Sequence, residues 1–99
     1  MSDQDAVAPH AVPVLSTRVR IRNLHDKTFV GQGEQVFEMS GTARFIWRQI
    51  DGGRTVLDIS EIVSKEYEIS QETALEDVQE FVVELVGLGV LRIRNHEQR

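Results

Sequence analysis

From residue 18 onward the chain is written in two hydrophobic periods. Arg18, Val19, Arg20, Ile21 and Arg22 alternate strictly. That is the period of a half-buried strand, with arginines on one face and Val19 and Ile21 on the other. His25-Asp26-Lys27 predicts a turn, Thr28 to Val30 a second strand, Gly31-Gln32-Gly33 a break, and Gln35, Val36, Phe37 and Glu38 a third strand. Short breaks between the runs predict an antiparallel meander. At Ser40 the period changes to that of a helix, which Ser40 is placed to cap. Ala43, Ile46, Trp47 and Ile50 share one face, and Asp51-Gly52-Gly53 ends the run with glycine suited to a left-handed stop. Thr55 and Asp58 have the spacing of a capping box. The helix they open carries Val56, Ile59 and Val63 on one face, with Ile62 beside them. Ser70 caps a third helix that runs to about Val86, and Gly87 and Gly89 stop it. Val90 to Ile93 alternate weakly and predict a short final strand.

The order β-β-β-α-α-α-(β) predicts an α+β fold: a three-stranded antiparallel sheet followed by three helices, in a winged helix-turn-helix arrangement. Residues 1–15 carry no period and read as a flexible N-terminal tail whose last residues dock. Residues 16–94 form the domain and 95–99 a C-terminal tail.

Composition narrows what such a domain can do. Ninety-nine residues allow one small core and little room for a deep cleft. The absence of cysteine removes disulfides, thiol nucleophiles and Cys-ligated metals, and it fits a cytoplasmic protein. The acidic start has no apolar run behind it, so no secretory signal is expected, and no run is long enough to span a bilayer. His10, His25 and His96 lie at no metal-ligand spacing, and no nucleophile–base pair can be assembled around a histidine. The chain therefore reads as non-catalytic, with no cofactor.

The third predicted helix holds the informative face. It carries Glu72, Glu76, Asp77, Glu80 and Glu84 and no Lys or Arg. A winged helix that binds DNA uses this helix in the major groove, and an acidic one repels phosphates. A DNA-binding regulator is thus the alternative the fold suggests and the charge opposes. At about 100° per residue, Ala74, Val78, Phe81, Leu85 and Leu88 share an arc that continues into Leu75, Val82 and Val86. The arc spans about 160°, wider than the ~100° stripe of a helix on one core. Either it packs helices and sheet together, or one of its edges floors a groove. In a meander the first and third strands are both edges, and an open edge accepts a further strand through its backbone groups. The same property admits a homodimer.

The segment from Val36 to Leu91 resembles the PqqD family. The resemblance rests on Val36-Phe37-Glu38-Met39, Thr42-Ala43-Arg44-Phe45-Ile46-Trp47, Asp51-Gly52-Gly53-Arg54-Thr55-Val56, Tyr67, Asp77 to Leu85, and Gly89-Val90-Leu91, in that order. Members of this family are peptide chaperones, RiPP recognition elements of winged helix-turn-helix fold. They hold the leader of a ribosomally made precursor for a partner enzyme. The partner is a radical S-adenosylmethionine maturase in PQQ biosynthesis, or a leader peptidase for lasso peptides. The resemblance implies that the leader adds as a strand beside the third strand and fills a groove against the third helix. Carried onto this chain, the peptide-binding residues are Gln35, Val36, Phe37, Glu38, Val78, Phe81, Val82 and Leu85.

Overall fold

A computed structural model describes residues 7–94. The elements run β1 (Val12–Leu15), β2 (Arg20–Leu24), β3 (Lys27–Gln32), β4 (Gln35–Met39), α1 (Gly41–Gln49), α2 (Val56–Tyr67), α3 (Gln71–Gly87) and β5 (Leu91–Arg94). The fold is α+β, with antiparallel sheets and three helices. β2, β3 and β4 form the meander in that spatial order, while β1 and β5 pair in a second, two-stranded sheet.

That second sheet takes in, as a strand, the last residues of the segment expected as a docking tail. Val12 pairs with Arg94 and Leu15 with Leu91, and Val7, Ala11 and Val12 are buried. The segment is ordered by backbone bonds. The N–H groups of Val56 and Leu57 donate to the carbonyls of Ala11 (2.9 Å) and Pro9 (2.8 Å). These are orphan donors at the start of a helix, and the N-terminal segment satisfies them. The rest of the expected tail, 1–6, and the C-terminal tail, 95–99, lie outside the described residues.

Both hairpins of the meander turn on two residues. Gln32 pairs with Gln35 around Gly33-Glu34, and Leu24 with Lys27 around His25-Asp26. The first turn residue has positive φ in each, 62° at Gly33 and 54° at His25. Glycine fits that conformation, whereas histidine is strained in it.

Thr55 accepts from the Asp58 N–H, and the Asp58 carboxylate accepts from the Thr55 N–H, so the capping box forms as expected. The Ser70 hydroxyl likewise accepts from the Thr73 N–H at 3.1 Å. Ser40 stands at the N-cap of α1 but makes no side-chain cap bond. α1 also closes earlier than the glycines suggest, at an extended Ile50. Gly52 (φ 84°) instead turns the following loop, where one oxygen of Asp51 accepts from the N–H groups of Gly53 and Arg54. Those two bonds hold the Asp51 carboxyl below its ordinary pKa.

The core lies where the helices meet the inner face of the meander. Ile46, Trp47, Ile59, Val63, Val78, Val82, Leu85, Val30 and Met39 are all buried in it. The buried polar residues Thr28 and Ser60 are paired. Thr28 donates to the Asn23 side chain (2.7 Å) and accepts from Arg44 (3.0 Å), which ties α1 to the sheet. Ser60 donates to the Leu57 carbonyl and accepts from Gln71, which ties α2 to the start of α3.

Candidate functional site

The meander ends in two open edges, because neither β2 nor β4 has an outer neighbour among the described residues. The register decides which backbone groups each edge offers. In a two-residue hairpin the pair flanking the turn is hydrogen-bonded, and antiparallel pairs then alternate between bonded and non-bonded. Gln32–Gln35 and Val30–Phe37 are therefore bonded pairs, while Gly31–Val36 and Phe29–Glu38 are not. The N–H and C=O of Val36 and Glu38 consequently point away from β3, toward the free edge. On β2 the same count leaves Ile21 and Asn23 facing outward.

Side chains divide β4 by face. Val36 and Glu38 lie on the outer face, where Val36 is 65% exposed. Phe37 lies on the inner face, half-buried against the core. Glu38 pairs with Lys27 at 3.1 Å, and its carboxylate raises the Lys27 pKa.

Of the expected α3 positions, Val78 and Val82 are fully buried and Leu85 nearly so. They form the core beneath the helix and are not offered to solvent. Phe81 is half-buried. The rest of the apolar arc splits into two flanks. On the Leu75 side, the Gln79 side-chain amide donates to the Val7 carbonyl at 2.7 Å, and buried Val7 covers part of this flank. On the other flank stand Phe81 and, about a turn apart from it in both directions, Asp77 and Glu84, followed by Leu88. The β3–β4 hairpin reaches the end of this helix: the Gln32 side chain lies 3.3 Å from where a Cβ on Gly89 would sit. The N-terminal segment thus covers part of the Leu75 flank, while Leu75 and Phe81 are both half-buried and Val86 and Leu88, one on each flank, are equally exposed.

Two concavities adjoin β2, and the first extends across the sheet to Val36 of β4. One, of about 500 Å³, lies on the outer sheet face between Arg20, Arg22, Leu24, Phe29, Gly31 and Val36. The other, of about 420 Å³, lies between β2, Leu15 and α1, where Trp47 and Ile50 line it. An edge that binds backbone does not need a cavity, so these volumes do not decide between the edges. Among the described residues, no three His, Asp or Glu side chains are grouped to hold a metal ion, and no helix is long and apolar enough to cross a membrane.

The class defined by the fold is a small α+β domain with antiparallel sheets, three helices and an open strand at the end of its meander. The sequence profile of the family described as Coenzyme PQQ synthesis protein D (PqqD) matches residues 24–91. The chain belongs to that family. The fold is similar to the solution structure of the PqqD truncation of Methylobacterium extorquens PqqCD, described as a functional, stand-alone RiPP recognition element. That match has a TM-score of 0.75 and 24% identity, covering 91% of this chain and 98% of that one. It is also similar to TbiB1 in complex with the TbiA(beta) leader peptide. Here the TM-score is 0.73 and the identity 20%, covering 79% of this chain and 93% of that one. Among curated proteins no sequence matches the chain significantly.

Proposed function

We propose that this chain is a non-catalytic leader-binding domain. It captures the leader of a ribosomally made precursor peptide as a strand on the β4 edge and presents it to a modifying enzyme. That enzyme is a radical S-adenosylmethionine maturase or a leader peptidase. The observation that carries the reading is the outward-facing backbone of Val36 and Glu38, with Phe37 and Phe81 as apolar contacts on the inner side. A relative of the same fold was solved with a leader peptide. Val78, Val82 and Leu85 act from beneath, holding Phe81 in place. In this reading α2 and α3 are the paired helices of a winged helix-turn-helix and the meander is its wing.

The exposed face of α3 opposes the DNA-binding alternative. Glu72, Glu76, Asp77, Glu80 and Glu84 are all exposed there, with no basic residue on the helix. The test is a titration of isotope-labelled protein with the leader of the precursor encoded beside its gene. Saturable shifts at the Val36 and Glu38 amides are expected, and their absence rejects the reading.

A further inference from the structure

Charge is distributed unevenly between the two open edges of the meander. β2 presents Arg22, exposed, with Arg18 just ahead of it, while the Arg20 guanidinium crosses β3 and donates to the Gly33 carbonyl at the β3–β4 turn (3.0 Å). β4 begins after Glu34 and ends beside Glu38. The Phe81 flank of α3 carries Asp77 and Glu84 around Phe81, with Glu80 beside them, all three exposed. Lys27 neutralises Glu38. No lysine or arginine among the described residues pairs with Glu34, Asp77, Glu80 or Glu84.

Backbone alone does not tell these edges apart, since each offers two outward residues. Charge does. A basic strand arriving at β2 meets arginines, and one arriving at β4 meets carboxylates. Like charges placed together penalise the wrong partner and opposite charges speed the encounter. We infer that charge sorts the incoming strand between the two edges, and that the segment this chain captures is net positive, with lysine or arginine beside its apolar anchors. The inference rests on the leader-binding reading and gives the chemistry of that ligand. It also accounts for the arginine stripe. Two β2 strands paired antiparallel about Arg22 would set arginine against arginine, so the stripe guards this edge against a second copy as well as against a basic leader.

The experiment selects random short peptides, displayed on their encoding nucleic acid, against the full 99-residue chain. The enriched sequences are then mapped by amide chemical shifts. The expected result is net-positive peptides that shift Val36 and Glu38. Each should lose about tenfold in affinity in the Asp77→Lys/Glu84→Lys variant and weaken as salt is raised. Both substituted positions are exposed, so the variant is expected to fold. Enriched peptides that shift Val36 and Glu38 but are neutral or acidic overturn the charge inference while leaving peptide capture intact. Basic peptides that collect at Ile21 and Asn23 overturn the sorting. Failure to enrich any peptide at either edge removes the leader-binding reading, and this inference with it.

Discussion

The side chain of Gln79 is bonded to the backbone of Val7 across seventy-two positions of sequence, at 2.7 Å. This one bond joins the N-terminal segment to α3 on its Leu75 flank. A side chain–backbone bond of this kind contributes about 1 kcal/mol. Gln79→Ala is therefore expected to lower the denaturant midpoint by a corresponding amount without weakening peptide affinity, because the bond lies on the opposite flank from Phe81. A loss of affinity in a folded Gln79→Ala protein would move the groove to the Leu75 side.

Val36→Pro separates the edge from the core. The Val36 N–H points outward, so proline removes a donor that the sheet itself does not use, and edge strands tolerate proline at such positions. The variant is expected to retain its helical circular dichroism and to lose roughly tenfold or more in leader affinity, the worth of about one intermolecular hydrogen bond plus local strain. Phe37→Pro is the control. Its N–H faces Val30 in the bonded pair, and it is expected to unravel the hairpin.

Leu85 and Phe81 illustrate how far the site could be read from the chain. Both fall on the wide apolar arc, and periodicity assigns them equal claims on a ligand. Their exposures differ, since Leu85 is buried and Phe81 half-buried. That difference depends on where the neighbouring elements pack, which no local pattern encodes. Leu85→Ala is expected to cost about 2–5 kcal/mol through the cavity it leaves, measured by urea unfolding. Phe81→Ser is expected to cost less stability and more affinity.

The elements themselves were legible wherever side chains set them. The Thr55–Asp58 pair and Ser70 did so, and each has a visible bond behind it; the alternation of Arg18 to Arg22 marks a strand, but that strand starts at Arg20 and none of its residues is buried, so the half-buried face read from Val19 and Ile21 does not form. β1 was missed because its cause is nonlocal. Ala11 and Pro9 are held by the amides of Val56 and Leu57, and Val12 to Leu15 by a strand almost eighty residues away. Ser40 misled in the other direction: a capping residue type stands at the cap, yet its hydroxyl takes no part.

Glu68 closes α2 in the left-handed conformation, with φ 55° and ψ 48°, a geometry that glycine adopts without a Cβ penalty. Glu68→Gly relieves that penalty, offset in part by the greater entropy glycine loses on folding. The balance favours the variant by about 0.5–1 kcal/mol, which for a domain of this size raises Tm by a few degrees. Calorimetry checks it, and an unchanged or lower Tm would show that the side chain compensates for its backbone.

Asp51 supplies the pH dependence. Its carboxylate accepts from the N–H groups of Gly53 and Arg54, and these bonds depress its folded pKa below the ordinary carboxylate value. A group with a depressed folded pKa stabilises the fold fully above its unfolded pKa, and that contribution is lost as pH falls through the folded value. Asp51→Asn keeps an oxygen acceptor and removes the titration. Wild type is expected to be the more stable protein at neutral pH. Its advantage should begin to shrink below about pH 4, where an unperturbed aspartate protonates, and level off once Asp51 is protonated in both states. A stability difference between the two proteins that stays constant from neutral to strongly acid pH would mean that the loop does not depend on the charge of Asp51.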